Sequence, residues 1–256
     1  MTTLGPVERT PEERRQTCTV LAQRLQNRFG DRLVAIGVYG SIARGTDGPY
    51  SDIEMMAVVH ELSSTDVSCY EWSSGPWKAE VDICEANELL QEAATVEGRW
   101  PLTHGSMHVV WPLYDPSGYF ARLKEAVESP SDEAFHGAIN EVLVGEMYEF
   151  IGKLRNVERN GPVTYLPYLA MQMANYGAML LGLHHRRLFT TGALVLPEAC
   201  AFPDQPDGFK ELAALAMNGE LSDAKRIAVA CERFWNGLVQ WAASRGYRIG
   251  SEAIPF

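Results

Sequence analysis

The segment Gly37–Met56, GVYGSIARGTDGPYSDIEMM, constrains this chain more than any other stretch. The apolar run Leu33–Tyr39 reads as a central strand that stops at a Gly40-Ser41 turn. A second strand is expected over Asp52–Val59. In a strand, side chains two apart share a face, so Asp52 and Glu54 project together while Ile53 and Met55 point to the core. Two carboxylates held that close repel, and both ionise easily only with a cation between them. A divalent ion with hard oxygen ligands, Mg²⁺ first among them, relieves the repulsion. At the other end of the loop, Gly40 lets the backbone approach closely and Ser41 offers a hydroxyl and an N–H. Arg44 can fork onto phosphate oxygens. A metal pair beside an anion-binding turn is equipment for phosphoryl or nucleotidyl transfer.

Charge narrows the acceptor. The chain carries 33 acids against 22 bases, a formal net charge of −11, and no basic patch is visible. Binding to nucleic acid is driven by phosphate neutralisation, so a nucleic-acid partner is disfavoured; an acidic surface favours a polycationic one, although taken alone the charge is better read as serving solubility. Five scattered cysteines (Cys18, Cys69, Cys84, Cys200, Cys231) with no C-x-x-C spacing suggest neither a zinc site nor a disulfide framework. The N-terminus has no charged-then-apolar signal pattern, and no stretch is apolar enough for a membrane span. The cytoplasm, where nucleoside triphosphates are available, is the expected compartment.

Along the chain, residues 1–9 read as a loose terminus. Thr10-Pro11-Glu12-Glu13 is a capping box that opens a helix running to Phe29, stopped by Gly30. His60–Ser74 reads as polar loop closed by Gly75-Pro76, and Trp77–Cys84 as a third strand with Lys78, Glu80 and Asp82 on one face. A helix over Glu85–Ala94, a strand over Met107–Leu113 and a helix over Gly118–Val127 follow. Ser129-Pro130-Ser131 marks a boundary, after which the pattern is helical throughout. Ser131 is expected to cap a helix through Arg155, with Glu146, Glu149 and Lys153 along one margin of its apolar stripe. Tyr165–His185 reads as a long apolar helix. The adjacent His184 and His185 splay by about 100° on a helix, so they read as structural rather than as one metal's ligands. A last helix, capped by Ser222, carries Ile227, Cys231, Phe234, Leu238 and Trp241 as a packing seam. Seam and apolar helix together offer more packing surface than one small bundle needs.

Gly40-Ser41, ten intervening residues, then Asp52-Ile53-Glu54 resembles the signature of the DNA polymerase beta-like nucleotidyltransferase superfamily. GVYGSIARGTDGPYSDIEMM as a whole is similar to the aminoglycoside 4′-nucleotidyltransferases, the kanamycin nucleotidyltransferase group. The resemblance continues through WSSGPWKAEVDI, WPLTHG, EFIGKLRN, GLHHR, FWNG and the terminal IPF, so it covers nearly the whole chain. It implies an α+β architecture: a nucleotidyltransferase domain with a mixed sheet and flanking helices over residues 1–128, followed by a helical bundle over residues 129–256. The implied reaction moves AMP from Mg-ATP to the 4′-hydroxyl of aminoglycosides of the kanamycin, tobramycin and amikacin type. Pyrophosphate is released and the antibiotic is inactivated.

In that scheme Asp52 and Glu54 hold Mg²⁺ and the third acid falls at Glu80, although Asp82 has the same parity and could substitute. Ser41, Arg44, Ser51 and Lys153 bind the triphosphate, and Glu149 is the general base. Glu71, Glu80, Glu146 and Glu149 receive the ammonium groups of the substrate. The family pattern has two adjacent acids where Gly145-Glu146 stands here, which puts one substrate contact in doubt. A homodimer whose active sites are each shared between two chains is also implied. The alternatives are a nucleotidyltransferase acting on another acceptor, such as a protein hydroxyl in a toxin–antitoxin pair, and a silent nucleotide-binding module. Intact Ser41, Asp52 and Glu54 speak against the silent module.

Overall fold

The computed structural model describes residues 5–74 and 77–250. The expected Gly75-Pro76 turn, the terminal Ile254-Pro255-Phe256 and the first four residues lie outside the described residues. The chain divides into two compact units: Met1–Thr95 with His104–Pro130, and Val96–Thr103 with Ser131–Phe256.

The first unit opens with helix α1 (Pro11–Phe29), which starts as its sequence demands. Thr10 Oγ1 accepts the Glu13 N–H at 3.2 Å, and the Glu13 carboxylate accepts the Thr10 N–H at 2.8 Å. Such a cap contributes about 1 kcal/mol. Strand β1 (Leu33–Val38) is buried throughout. Where a bare turn was expected, a single helical turn follows, α2 (Gly40–Arg44). Strand β2 (Ile53–Val59) begins just after Asp52, so Asp52 lies at the loop end rather than inside the strand. Residues 60–74, expected as loop, contain strand β3 (Cys69–Ser74). It then pairs with β4 (Trp77–Glu85).

Helix α3 (Ala86–Ala93) comes next, then the short α4 (Trp100–Thr103), which counts with the second unit. The strand expected over Met107–Leu113 is instead a helical turn, α5 (Gly105–His108), and a short strand, β5 (Trp111–Tyr114). Helix α6 (Tyr119–Glu128) ends the unit. The sheet order is β3-β4-β2-β1-β5; β2 and β4 run parallel and the other neighbours antiparallel. Pro112 is tolerated because β5 is an edge strand, where one side of the backbone needs no ladder bond. β3 is the other edge; Tyr70 and Trp72 pack against the core, and Glu71 and Ser73 alternate with them.

The two faces of this sheet differ in chemistry. Cys18, Ala22, Leu25 and Phe29 of α1 pack with Ile53, Met55, Ala57 and Val59 of β2 and with Ala79, Val81 and Ile83 of β4. By strand alternation, Glu54, Glu80 and Asp82 are turned to the opposite face. Glu54 is the one residue of β2 that is not fully buried.

The second unit is helical. Ser131 caps α7 (Asp132–Val142), its Oγ accepting the Ala134 N–H at 3.3 Å. The helix does not run evenly through Arg155 as the periodicity predicts. A wide π turn, Leu143–Met147, separates α7 from α8 (Tyr148–Asn160). Helix α9 (Leu166–His185) is the buried centre of the unit, touched by α7, α8, α10 (Val195–Cys200), α11 (Phe209–Met217) and α12 (Ala224–Ser244). The cap of α12 is Asp223 rather than Ser222, its carboxylate accepting the N–H groups of Lys225 and Arg226.

Ile227, Cys231, Phe234, Leu238 and Trp241 are all buried within this unit, as is most of α9. The expected surplus of packing surface is therefore consumed by the bundle itself. His184 is held between the Tyr247 hydroxyl at 2.9 Å and Asp204 Oδ2 at 3.1 Å, in keeping with a structural role. No helix among the described residues is long and apolar enough to cross a membrane.

Candidate active site

Strand pairing collects the acids of the first unit. Glu54 of β2 lies opposite Glu80 of β4, and Glu80 lies opposite Glu71 of β3. Three carboxylates thus form a row across three adjacent strands, with Asp52 just before the start of β2. The burden falls on Glu54. Burial raises its pKa first, and the charges of Asp52 and Glu80 raise it further, against smaller opposing effects of Arg44 and Lys78. Lys78 reaches into the same row, its Nζ 3.0 Å from Glu71 Oε1 and 3.9 Å from Asp52 Oδ2. Its pKa is raised, first by the hydrogen bond to Glu71.

Asp82 shares the face of Glu80 but is used differently. It lies opposite Met56, and its Oδ2 accepts the Tyr39 hydroxyl at 2.9 Å, while the hydroxyl stands 3.5 Å from Glu80 Oε1. Burial, then the Asp82 charge, drives the Tyr39 pKa far above its ordinary value, so this hydroxyl stays a donor. Cys69, Glu80 and Asp82 can bring one ligand atom each within 4.8 Å of one another. Burial and Asp82 push the Cys69 thiol up to about 11, which makes it a poor partner for a hard cation. Glu54 with Glu80 and Asp52 offers oxygens alone. That donor set suits a small divalent ion, whose charge would offset the repulsion that lifts Glu54.

The turn from which anion binding was expected is α2. Gly40 has φ +68°, and a Cβ there would collide with the Glu54 carboxylate, so the absence of a side chain lets turn and acid share the space. The Tyr39 N–H donates to the Glu54 carbonyl at 2.9 Å, continuing the strand pairing past β1. Ser41 and Arg44 are half-buried. The loop between them and Asp52 is closed on itself. Thr46 N–H donates to the Ser41 carbonyl at 3.0 Å, and Ser51 Oγ accepts the Gly48 N–H at 2.9 Å.

The remaining expected residues sit in the second unit. Glu146 is on the π turn, and Glu149 and Lys153 are one turn apart on α8, with 2.5 Å between Lys153 Nζ and Glu149 Oε1. The Lys153 pKa is raised, first by that bond, and Glu146 also adds to it. The three expected neighbours are together, as periodicity suggested, despite the interrupted helix. A π turn inside a helix is often found at functional positions.

A family profile described as "KNTase C-terminal domain" matches residues 117–248. Two aminoglycoside nucleotidyltransferases (4′), from Staphylococcus aureus and from a Bacillus species, are each 44% identical over 253 residues, covering 98% of this chain and 99% of theirs. The chain belongs to the aminoglycoside nucleotidyltransferase (4′) family. Its fold also resembles that of a nucleotidyltransferase-like protein from Exiguobacterium sibiricum, with a TM-score of 0.53 and 12% identity over 91% of this chain and 77% of that one. As a member of a transferase family it is an enzyme.

Sequence reasoning passed over several residues of this family member. Tyr39, whose hydroxyl donates to Asp82 across 43 residues, was not singled out, and Lys78 was seen on the right face without a part to play. Arg14 and Asp47 were passed over entirely. Only the last pair left a trace in the sequence: Arg14 falls on the buried stripe of α1, with Cys18, Ala22, Leu25 and Phe29.

Proposed function

We propose that this enzyme transfers AMP from Mg-ATP to the 4′-hydroxyl of aminoglycosides, releases pyrophosphate, and so confers resistance to drugs of the kanamycin, tobramycin and amikacin type. The observation that carries the proposal is the carboxylate row of Glu71, Glu80 and Glu54, with Asp52 at its edge and the Gly40–Arg44 turn beside it. Full-length similarity to two aminoglycoside nucleotidyltransferases (4′) supports it.

In this reading Asp52 and Glu54 hold Mg²⁺, and Glu80 is the third acid, favoured over Asp82 because it neighbours Glu54 while Asp82 accepts from Tyr39. The ion, when bound, neutralises charge on the triphosphate and polarises the α-phosphorus. Ser41, Arg44, Ser51 and Lys153 bind triphosphate oxygens. Glu149 takes the proton of the sugar hydroxyl as it attacks in line. For that it must leave Lys153, and a triphosphate competing for the ammonium is what would free it. Glu71, Glu80, Glu146 and Glu149 receive ammonium groups, for which an acidic surface is suited.

A homodimer with shared sites completes the reading: Asp52 of one subunit works with Glu149 of the other. Exposed Val144, Tyr148, Val163 and Tyr168, on the stretch that carries Glu146 and Glu149, supply apolar surface for such a contact. The cytoplasm, with its ATP, is the natural site of action. The direct test incubates the purified chain with α-labelled ATP, Mg²⁺ and a panel of aminoglycosides that have or lack a 4′-hydroxyl. Labelled drug is expected only where the hydroxyl is present. Transfer to no drug rejects the substrate class, and transfer to a 4′-deoxy ring rejects the position.

A further inference from the structure

The loop Gly45–Ser51 links the anion turn to the metal acids, and it is anchored from below by a buried charge. The Arg14 residue is 0% exposed, and the side chains of Arg14 and Asp47 are only 1% and 4% exposed. Arg14 Nε donates to Asp47 Oδ2 at 2.7 Å, and Nη2 lies 2.6 Å from the same oxygen. Arg14 Nη1 donates to the carbonyls of Arg9 at 2.9 Å and of Pro49 at 3.2 Å. Two outer ties run in parallel: the Arg9 N–H donates to the Pro49 carbonyl at 2.9 Å, and the Tyr50 hydroxyl donates to Glu8 at 2.8 Å.

We infer that Arg14 and Asp47 are positioning residues for the nucleotide, setting the height and direction at which the loop presents Ser51 and Asp52. The inference rests on the nucleotidyl-transfer reading above. A buried ion pair is a costly way to fasten a helix to a loop, since well-packed apolar residues hold as strongly or better. What the guanidinium adds is direction, because its planar donors meet one carboxylate and two carbonyls at fixed angles. Asp47 and Pro49 are the gripped residues; Ser51, two residues after Pro49, is locked by its reciprocal bonds with Gly48, and Asp52 follows directly. A loop with these ends free would have to be ordered by the nucleotide itself, at a cost in affinity.

The test measures binding of a non-transferable α,β-methylene ATP with Mg²⁺ by calorimetry, on the full chain and without any acceptor. Asp47→Asn keeps the shape and an acceptor oxygen but loses the charge. The double variant Arg14→Met/Asp47→Leu replaces the pair by apolar groups, a change that commonly preserves the fold, and it removes Arg14's hold on the Pro49 carbonyl while leaving the Arg9 N–H bond in place. Leu25→Ala, in the core face of the same helix, is the control for lost stability alone. Both pair variants are expected to bind the nucleotide ~10-fold or more weakly, with faster hydrogen exchange at the Gly48 and Ser51 amides. Leu25→Ala should bind as the wild type does. Unchanged binding by either folded pair variant, or equal weakening in Leu25→Ala, overturns the inference. A wild-type chain that takes up no nucleotide overturns instead the reading on which it stands.

Discussion

Replacing Gly40 by alanine adds one carbon atom, and two independent penalties can be read from the structure. The first is conformational. Gly40 has φ +68°, where a residue with a Cβ is strained by about 1–2 kcal/mol. The second is steric and local to the site. The new Cβ would overlap Glu54 Oε2 and lie 2.6 Å from Cδ, whereas ordinary carbon–carbon contacts are about 3.5–4.0 Å, so the carboxylate must retreat by at least roughly 1 Å. A displacement of about that size in a catalytic group costs on the order of 10²-fold in rate.

Gly118→Ala separates the two penalties. Gly118 has φ +66°, yet a Cβ there meets nothing within 4 Å, so it carries the strain without the collision. Gly118→Ala should lose roughly 2–8 °C in Tm for 1–2 kcal/mol, and Gly40→Ala at least as much. Only Gly40→Ala should lose turnover, by about two orders of magnitude, while Gly118→Ala keeps it. Thermal melts and steady-state adenylyl transfer on the pair give the answer. Near-normal turnover in folded Gly40→Ala would refute the argument that the turn and Glu54 share one space. Equal turnover loss in both would show that strain alone was responsible.

Glu54 has a pKa raised by burial and by Asp52 and Glu80, so in the metal-free chain its ionised form opposes folding. Wild type should therefore gain stability relative to Glu54→Gln as pH falls through the raised folded value, a gain complete below the ordinary 4.5, and Mg²⁺ at neutral pH should narrow the gap. Denaturation midpoints in EDTA that move the other way refute the electrostatic account. Glu149→Gln keeps the shape of the side chain but accepts no proton, so kcat should fall about 10²–10⁴-fold with little change in drug affinity. Calorimetry showing lost affinity with kcat intact would make Glu149 an ammonium ligand. For the shared site, Asp52→Asn and Glu149→Gln chains unfolded and refolded together should regain roughly a quarter of wild-type activity, since half the dimers are mixed and each holds one intact site. A mixture as inactive as its parents excludes the sharing.

What was legible in this sequence was whatever a short span could encode. The capping box of α1, the core-facing Ile53 and Met55 of β2 and the closeness of the Gly40 turn to Glu54 each need only neighbours within a few residues, and all are present. β3 was not legible because its hydrophobic alternation amounts to Tyr70 and Trp72, too short to stand out from a polar, Ser-rich stretch, and ladder bonds to β4 do the rest. The π turn at Leu143–Met147 was not legible either. It changes the winding by a residue while Val142, Leu143 and Met147 remain buried, so the apolar stripe reads as though the helix were even.

The site shows the same division between local spacing and distant pairing. Parity within β4 placed Glu80 and Asp82 on one face and could take the choice between them no further. Register supplies the difference, since Glu80 meets Glu54 across the parallel pair and Asp82 meets Met56. Tyr39 then engages Asp82 at 2.9 Å from the end of β1, which leaves Glu80 as the carboxylate beside Glu54. Arg14 is the converse case. Its place on the buried stripe of α1 is local and was there to be read, and a charge on such a stripe demands a buried counter-charge. Which of the chain's 33 acids answers it is decided 33 residues away, by a loop whose course only the folded sheet determines.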